Sequence, residues 1–262
     1  MASSMSSIII IPGSFTTAPM YYDLVDKIQA LRGGESGSVF VNNLPSASRN
    51  PPEEPATLDD DAAFFRAIIE KLAERGQDVV VVAHSYGGVV GTEALKEVSK
   101  AEREARGQPG GVVRIVYLTA HVPSEGSSVT SMLGDAPTEM VEYGKDGFHR
   151  LVGIETIAQA TFPDLELDKA VAVVKHMTRH SAVSFAGEIT HAGYKHVPVS
   201  YIVCENDMII PPEMQRGYIE KIQRESGRDV DVHTLNTGHA PNTTAPDQLA
   251  NVIVRIAAAA SA

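Results

Sequence analysis

The sequence predicts an α/β protein: a mainly parallel sheet of about six strands, helices on both of its faces, and a helical segment inserted before the last strands. Three observations carry that prediction. Short β-branched runs alternate with longer stretches of helical period. Several of those runs are apolar at every position, as strands covered on both faces must be. The alternation breaks once, between Pro123 and His196, and then resumes. With 262 residues and 43% hydrophobic content, the chain can bury one sizeable core.

Ser7 to Ile11 is the first strand, stopped by Pro12-Gly13, and Pro19 to Leu31 is the first helix, with Tyr22, Leu24, Val25, Ile28 and Leu31 at helical spacing. Ser38 to Val41 is a second short strand. Leu44 to Pro55, rich in Pro, Ser and Asn, reads as a loop. Thr57 caps a helix from Leu58 to Arg75, whose first turn carries Asp59 to Asp61 as a charge cluster suited to a helix N-terminus. Val79 to Ala83 is the third strand, Tyr86 to about Ala105 the next helix, and Val112 to Thr119 the fourth strand. Pro198 to Cys204, Pro211 to Gln223, Val230 to Leu235 and Asp247 to Ala260 restore the strand and helix rhythm. The expected organisation is one core, residues 1–122 and 197–262, with residues 123–196 inserted as a helical lid. That insertion holds five of the nine histidines and three of the eight methionines.

Val79 to Val90 reads Val-Val-Val-Val-Ala-His-Ser-Tyr-Gly-Gly-Val-Val. A buried strand followed at once by Gly87 and Gly88 lets a helix pack close and lets Ser85 take a strained turn conformation that projects its hydroxyl. Taken alone, the pattern also fits a serine that merely caps a helix. Ligands of an open parallel sheet bind at the carboxyl ends of its strands. Those ends carry Gly13-Ser14-Phe15, Ser85, His121, Glu205-Asn206-Asp207 and Thr237-Gly238-His239. A serine hydroxyl needs a histidine to take its proton and a carboxylate to orient the imidazole. Ser85, His239 and Asp207 supply these roles in the order Ser, Asp, His. Glu205 is the alternative acid, since strand alternation points it the same way as Asp207.

Ile11-Pro12-Gly13-Ser14, Ala83-His-Ser-Tyr-Gly-Gly88, Tyr201-Ile-Val-Cys-Glu-Asn-Asp207, Ile210-Pro-Pro-Glu-Met-Gln215 and Gly238-His-Ala-Pro241 together resemble the α/β-hydrolase fold, and within it the plant methyl esterase and hydroxynitrile lyase branch. The resemblance spans nearly the whole chain. It implies an esterase with no cofactor, and an oxyanion hole formed by the backbone N–H groups of Tyr86 and Ser14. The dipole and free donors of the helix opening at Tyr86 agree with that role. Two departures matter. Pro12 stands where the family usually has His, removing a backbone donor. Ala240 stands where cyanohydrin-cleaving members place a Lys, which disfavours hydroxynitrile lyase activity.

The expected function is therefore hydrolysis of an ester, or a related acyl bond, of a small, largely apolar molecule. Two alternatives use the same pocket: a non-hydrolytic lyase or cyclase, and a ligand-binding receptor. Candidate substrate contacts are Phe15, His121, Met132 and Phe162, with Met140, Phe148, Leu151 and Met177 as further apolar candidates for the pocket or for the core of the insertion. His121 reads either as a hydrogen-bond partner of substrate or auxiliary acid/base, or as a ring satisfied by neighbouring backbone. His176 and His180 would share a helix face, but no carboxylate or thiol stands beside them in a ligand pattern, and no metal is expected. Cys204 reads as a core residue; as the only cysteine it excludes an internal disulfide and points to a cytoplasmic, reducing compartment. The net charge of −11, with no basic run longer than a pair, argues against a nucleic-acid partner, and no stretch is long enough for a membrane span. The insertion is also where a second copy could dock, giving a homodimer.

Overall fold

Unbroken β-branched runs build the centre of the molecule. The computed structural model describes residues 6–33, 37–134 and 137–260. The first half contains β1 (Ser7–Ile11), a short 3-10 turn, α1 (Tyr22–Leu31), β2 (Val39–Val41), α2 (Pro45–Ser48), α3 (Leu58–Ala73), β3 (Asp78–His84), α4 (Gly87–Ala94), α5 (Lys100–Ala105) and β4 (Gly111–Leu118). Next come α6 (Val129–Leu133), β5 (Val141–Tyr143), β6 (Phe148–Leu151), α7 (Ile154–Thr161), α8 (Leu167–Val174), β7 (His180–Ser181) and α9 (Ala182–Ala186). The chain closes with β8 (Val199–Cys204), α10 (Pro212–Ser226), β9 (Asp231–Leu235), α11 (Pro241–Thr244) and α12 (Pro246–Ala260).

Six strands form one sheet in the order β2-β1-β3-β4-β8-β9, every pair parallel. Alternation along each strand divides its side chains between two apolar layers. Ile9, Ile11, Val79, Val81 and Ala83 join Phe65, Ile69, Val89 and Ile222 of α3, α4 and α10 on one face. Ile8, Ile10, Val80 and Val82 join Leu24, Ile28, Leu249 and Ile253 of α1 and α12 on the other. Burial on both faces is why these strands read as continuous apolar runs. Cys204 lies buried in the second layer, as expected.

The helix at Leu58 starts as its sequence dictates. Thr57 Oγ1 accepts from the Asp60 N–H at 3.1 Å, and the Asp60 carboxylate accepts from the Thr57 N–H at 2.9 Å, a reciprocal cap. Three expectations need correction. The helix expected from Tyr86 to Ala105 is two helices. The chain turns at Glu97, with φ of +63°, and Ser99 starts α5 by capping it reciprocally with Glu102. The expected loop Leu44–Pro55 contains α2. The insertion is not wholly helical, since β5, β6 and β7 pair as an antiparallel sheet. Gly144 and Gly147 bracket the turn between β5 and β6 and satisfy the tight connection that a hairpin needs. Among the described residues no helix is long and apolar enough to cross a membrane.

Candidate active site

The end of β3 delivers Ser85 to the carboxyl edge of the sheet. Its φ of +56° places a non-glycine residue in the left-handed region, and its N–H remains tied to Leu118 O of the neighbouring strand at 3.2 Å. The first two positions of α4 must then be glycine. A Cβ at Gly87 would lie 2.5 Å from Ile11 O, and one at Gly88 would collide with His121 O. Gly88→Ala is therefore expected to destabilise the protein by about 2 kcal/mol or more, read as a lower Tm, because the clash is with the backbone of His121, whose N–H is tied to Ser85 O at 3.2 Å.

Two loops complete the arrangement. His239, after β9, receives the Ser85 hydroxyl on Nε2 at 3.0 Å and donates from Nδ1 to Asp207 Oδ2 at 2.7 Å. Because a carboxylate only accepts, this bond fixes the tautomer and leaves Nε2 free to take a proton from Ser85. Asp207 Oδ1 accepts from the Ile209 and Ile210 N–H groups at 2.7 and 2.9 Å, and Thr119 Oγ1 donates to Oδ2. Burial alone would raise this carboxyl, but the adjacent His239 ring and the donated hydrogen bonds outweigh it and hold Asp207 below the usual carboxylate range. Glu205 instead pairs with Arg216 at 2.7 Å and takes no part in the arrangement.

A second chain of hydrogen bonds supports the first. The Gly13 N–H donates to Tyr21 Oη at 3.0 Å, Tyr21 donates to His84 Nδ1 at 2.7 Å, and His84 Nε2–H donates to His239 O at 2.8 Å. The acceptor-only carbonyl dictates this direction. Burial, with the neighbouring His239, pushes His84 down to about 3 and keeps it neutral. The loop after β1 is thus joined to the backbone of His239, and it lies against Ser85, since a Cβ on Gly13 would sit 3.0 Å from the Ser85 Cβ.

Ser85 and His239 open into a cavity of about 520 Å³. The core supplies Ser14, Phe15, His121 and Ile209 to its wall, and the inserted residues supply Val129, Leu133, Met140, His149, Leu151, Phe162, Met177 and Phe185. The Alpha/beta hydrolase family profile matches residues 8–252. The chain belongs to that family. The hydrolase is 34% identical over 250 residues to "Probable hydrolase R7" of a Phoma species, covering 95% of this chain and 97% of that one. It is 26% identical to Methylesterase 7 of Arabidopsis thaliana, covering 88% of this chain and 90% of the other. The crystal structure of a pyrethroid hydrolase from Sphingobium faniae JZ-2 superposes with a TM-score of 0.72 at 19% identity, covering 97% of this chain and 98% of that chain, which places the two in one fold.

Within the hydrolase, Phe15, His121 and Phe162 line the cavity, but Met132 does not. It packs against the main core instead, as does Val129, which also reaches the cavity. Phe148 is likewise turned away, while His149 and Leu151, on the other face of β6, reach the cavity. His176 and His180 share no helix face: α8 ends at Val174, and the Thr178 N–H bonds to Phe15 O at 2.8 Å, drawing the chain out toward β7. His180 is buried against Phe15, Tyr86 and Phe185, and burial lowers it to about 3. His121 Nδ1 is 3.0 Å from the Tyr218 hydroxyl, so its partner is a side chain. Burial, then His239, keeps it neutral, down to about 3.

Asp61 plays a part that the sequence-based expectation did not give it. Asp59 and Asp60 serve the helix start, but Asp61 is fully buried. It accepts from Ser46 N and Oγ at 2.8 and 2.6 Å and from the Tyr86 hydroxyl at 3.3 Å. Burial raises its carboxyl to about 6 against the lowering effect of these bonds. A carboxyl raised on folding contributes stability that is complete below its unfolded pKa and lost as pH rises through the folded value. Asp61→Asn is therefore expected to gain stability relative to the parent between about pH 4 and 7, by up to about 3 kcal/mol. Urea titrations at pH 4.5 and 7.5 check the sign; an unchanged difference contradicts it.

Proposed function

We propose that the hydrolase cleaves an ester, or a related acyl bond, of a small and largely apolar molecule through an acyl-enzyme on Ser85. The observation that carries this reading is the continuous chain from the Ser85 hydroxyl through His239 to buried Asp207, opening into a cavity walled mostly by apolar side chains. His239 takes the Ser85 proton as the oxygen attacks the acyl carbon, returns it to the leaving alkoxide, and then activates the water that releases the acid. Asp207 stabilises the imidazolium that forms in each step. The backbone N–H groups of Tyr86, at the start of α4, and of Ser14, in the loop beside Ser85, hold the tetrahedral oxyanion. Residues 123–196 act as the lid that supplies the apolar wall, and Phe15, Phe162 and neutral His121 contact the substrate.

The fate of water separates hydrolysis from lyase or cyclase chemistry on the same groups. Turnover of p-nitrophenyl acetate in ¹⁸O-labelled water is expected to place one labelled oxygen in the product acid and to stop when phenylmethylsulfonyl fluoride modifies Ser85. Turnover of the acyl substrate with no incorporated label would refute the hydrolytic step.

A further inference from the structure

Outside the lining of the Ser85 cavity, the last residues of the insertion read His191-Ala-Gly-Tyr-Lys-His196, two histidines with four residues between them, a spacing that zinc sites use. The 3-10 turn Gly193–Lys195 folds this segment back on itself. The turn is pressed onto the break between α4 and α5, where a Cβ on Gly193 would lie 2.5 Å from the Leu95 Cβ. The close approach stacks the His191 and His196 rings, with centroids 4.5 Å apart and planes 19° from parallel.

Glu102, in the first turn of α5, stands beside this pair. Its Oε2 is committed to Ser99 at 2.5 Å, which fixes the carboxylate and leaves Oε1 3.5 Å from His196 Nδ1. Glu93 holds the His191 N–H at 3.0 Å, and Glu125 holds the Ala192 N–H at 3.0 Å, so the peptide between the helices is anchored by two further carboxylates. One oxygen of Glu102 and one nitrogen of each ring lie within 4.8 Å of one another. His191 Nε2 is buried and has no hydrogen-bond partner among the described residues. An ion pair between His196 and Glu102 would leave that nitrogen unexplained.

We propose that Glu102, His191 and His196 form a binding site for a divalent transition-metal ion of the Zn²⁺ class, which ties the end of the insertion to α5. Two neutral imidazoles and one carboxylate match that class better than the all-oxygen shells of Mg²⁺ and Ca²⁺. Tetrahedral bonds of about 2.0 to 2.1 Å bring ligand atoms to within about 3.4 Å of each other, a contraction of at most about 1.4 Å from the present separations of no more than 4.8 Å, toward which the exposed His196 side chain can move. Water completes the shell. None of the three residues lines the Ser85 cavity, so the role is structural.

Untagged protein, stripped with a chelator, is titrated with ZnCl₂ by calorimetry and by thermal unfolding. One equivalent is expected to bind, and Tm is expected to rise by about 5 °C or more at a hundredfold excess over Kd. In His196→Ala and in Glu102→Gln, which preserves side-chain length, both signals should fall at least tenfold while p-nitrophenyl acetate hydrolysis is unchanged. Co²⁺ should give the visible absorption of a four-coordinate site in the parent alone. Absence of binding in the parent, or equal responses in parent and variants, would overturn the proposal.

Discussion

Ser85→Ala is expected to lower kcat/KM for p-nitrophenyl acetate by about 10⁴-fold or more, with Tm within about 1 °C of the parent. The hydroxyl is the only group lost. Among the described residues it makes one hydrogen bond, to His239 Nε2, and its removal leaves the strained turn, the Leu118 O contact and the glycine packing in place. The acyl-enzyme route then has no nucleophile, and what remains is general-base attack by water held near the proposed oxyanion donors. A residual rate within tenfold of the parent would mean that Ser85 is a turn residue and that the chemistry lies elsewhere.

Asp207→Asn is expected to cost about 10⁴-fold in kcat, with little change in KM, because an amide presents a donor to His239 Nδ1. The ring then turns to the other tautomer, and Nε2 carries the proton it must accept from Ser85. The contacts of the other carboxylate oxygen with Ile209 and Ile210 survive through the Asn carbonyl, so the loop keeps its shape. Glu205→Gln provides the matched control. Its carboxylate pairs with Arg216 in an exposed contact, and its removal is expected to leave kcat within about twofold. Equal losses in the two variants would contradict the assignment of the acid.

The parts of the site that were legible in the sequence belong to the sheet. Parallel strands buried on both faces announce themselves as apolar runs, and their carboxyl ends converge on one edge, so Ser85, Asp207 and His239 could be read as candidates from the turn pattern around Ser85 and the order of the strand ends. Gly87 and Gly88 were legible for the same local reason: the strand-to-helix turn leaves no room for a side chain. The sequence groups Asp61 with Asp59 and Asp60 as one charge cluster, although it stands three residues after Leu58 and four before Phe65, on the buried face of α3. What that position could not show is its partners, Ser46 of α2 and the Tyr86 hydroxyl. The split of the helix after Ala94 was written in Ser99 and Glu102, a reciprocal cap inside a stretch that otherwise kept helical composition. In the insertion the elements are too short for periodicity to speak. β5 has three residues, β7 two and α6 five, too few for a pattern to separate the side chains that meet the cavity from those that meet the core.

Ser85 is the proposed nucleophile of this hydrolase. The most direct test of that role is to react the parent protein with a fluorophosphonate, digest it, and locate the adduct by peptide mass spectrometry. The predicted result is one adduct per chain, on Ser85, formed at the rate at which activity is lost, and absent from His239→Ala because the hydroxyl is then no longer activated. An adduct on another residue, or complete loss of activity with Ser85 unmodified, would contradict the account.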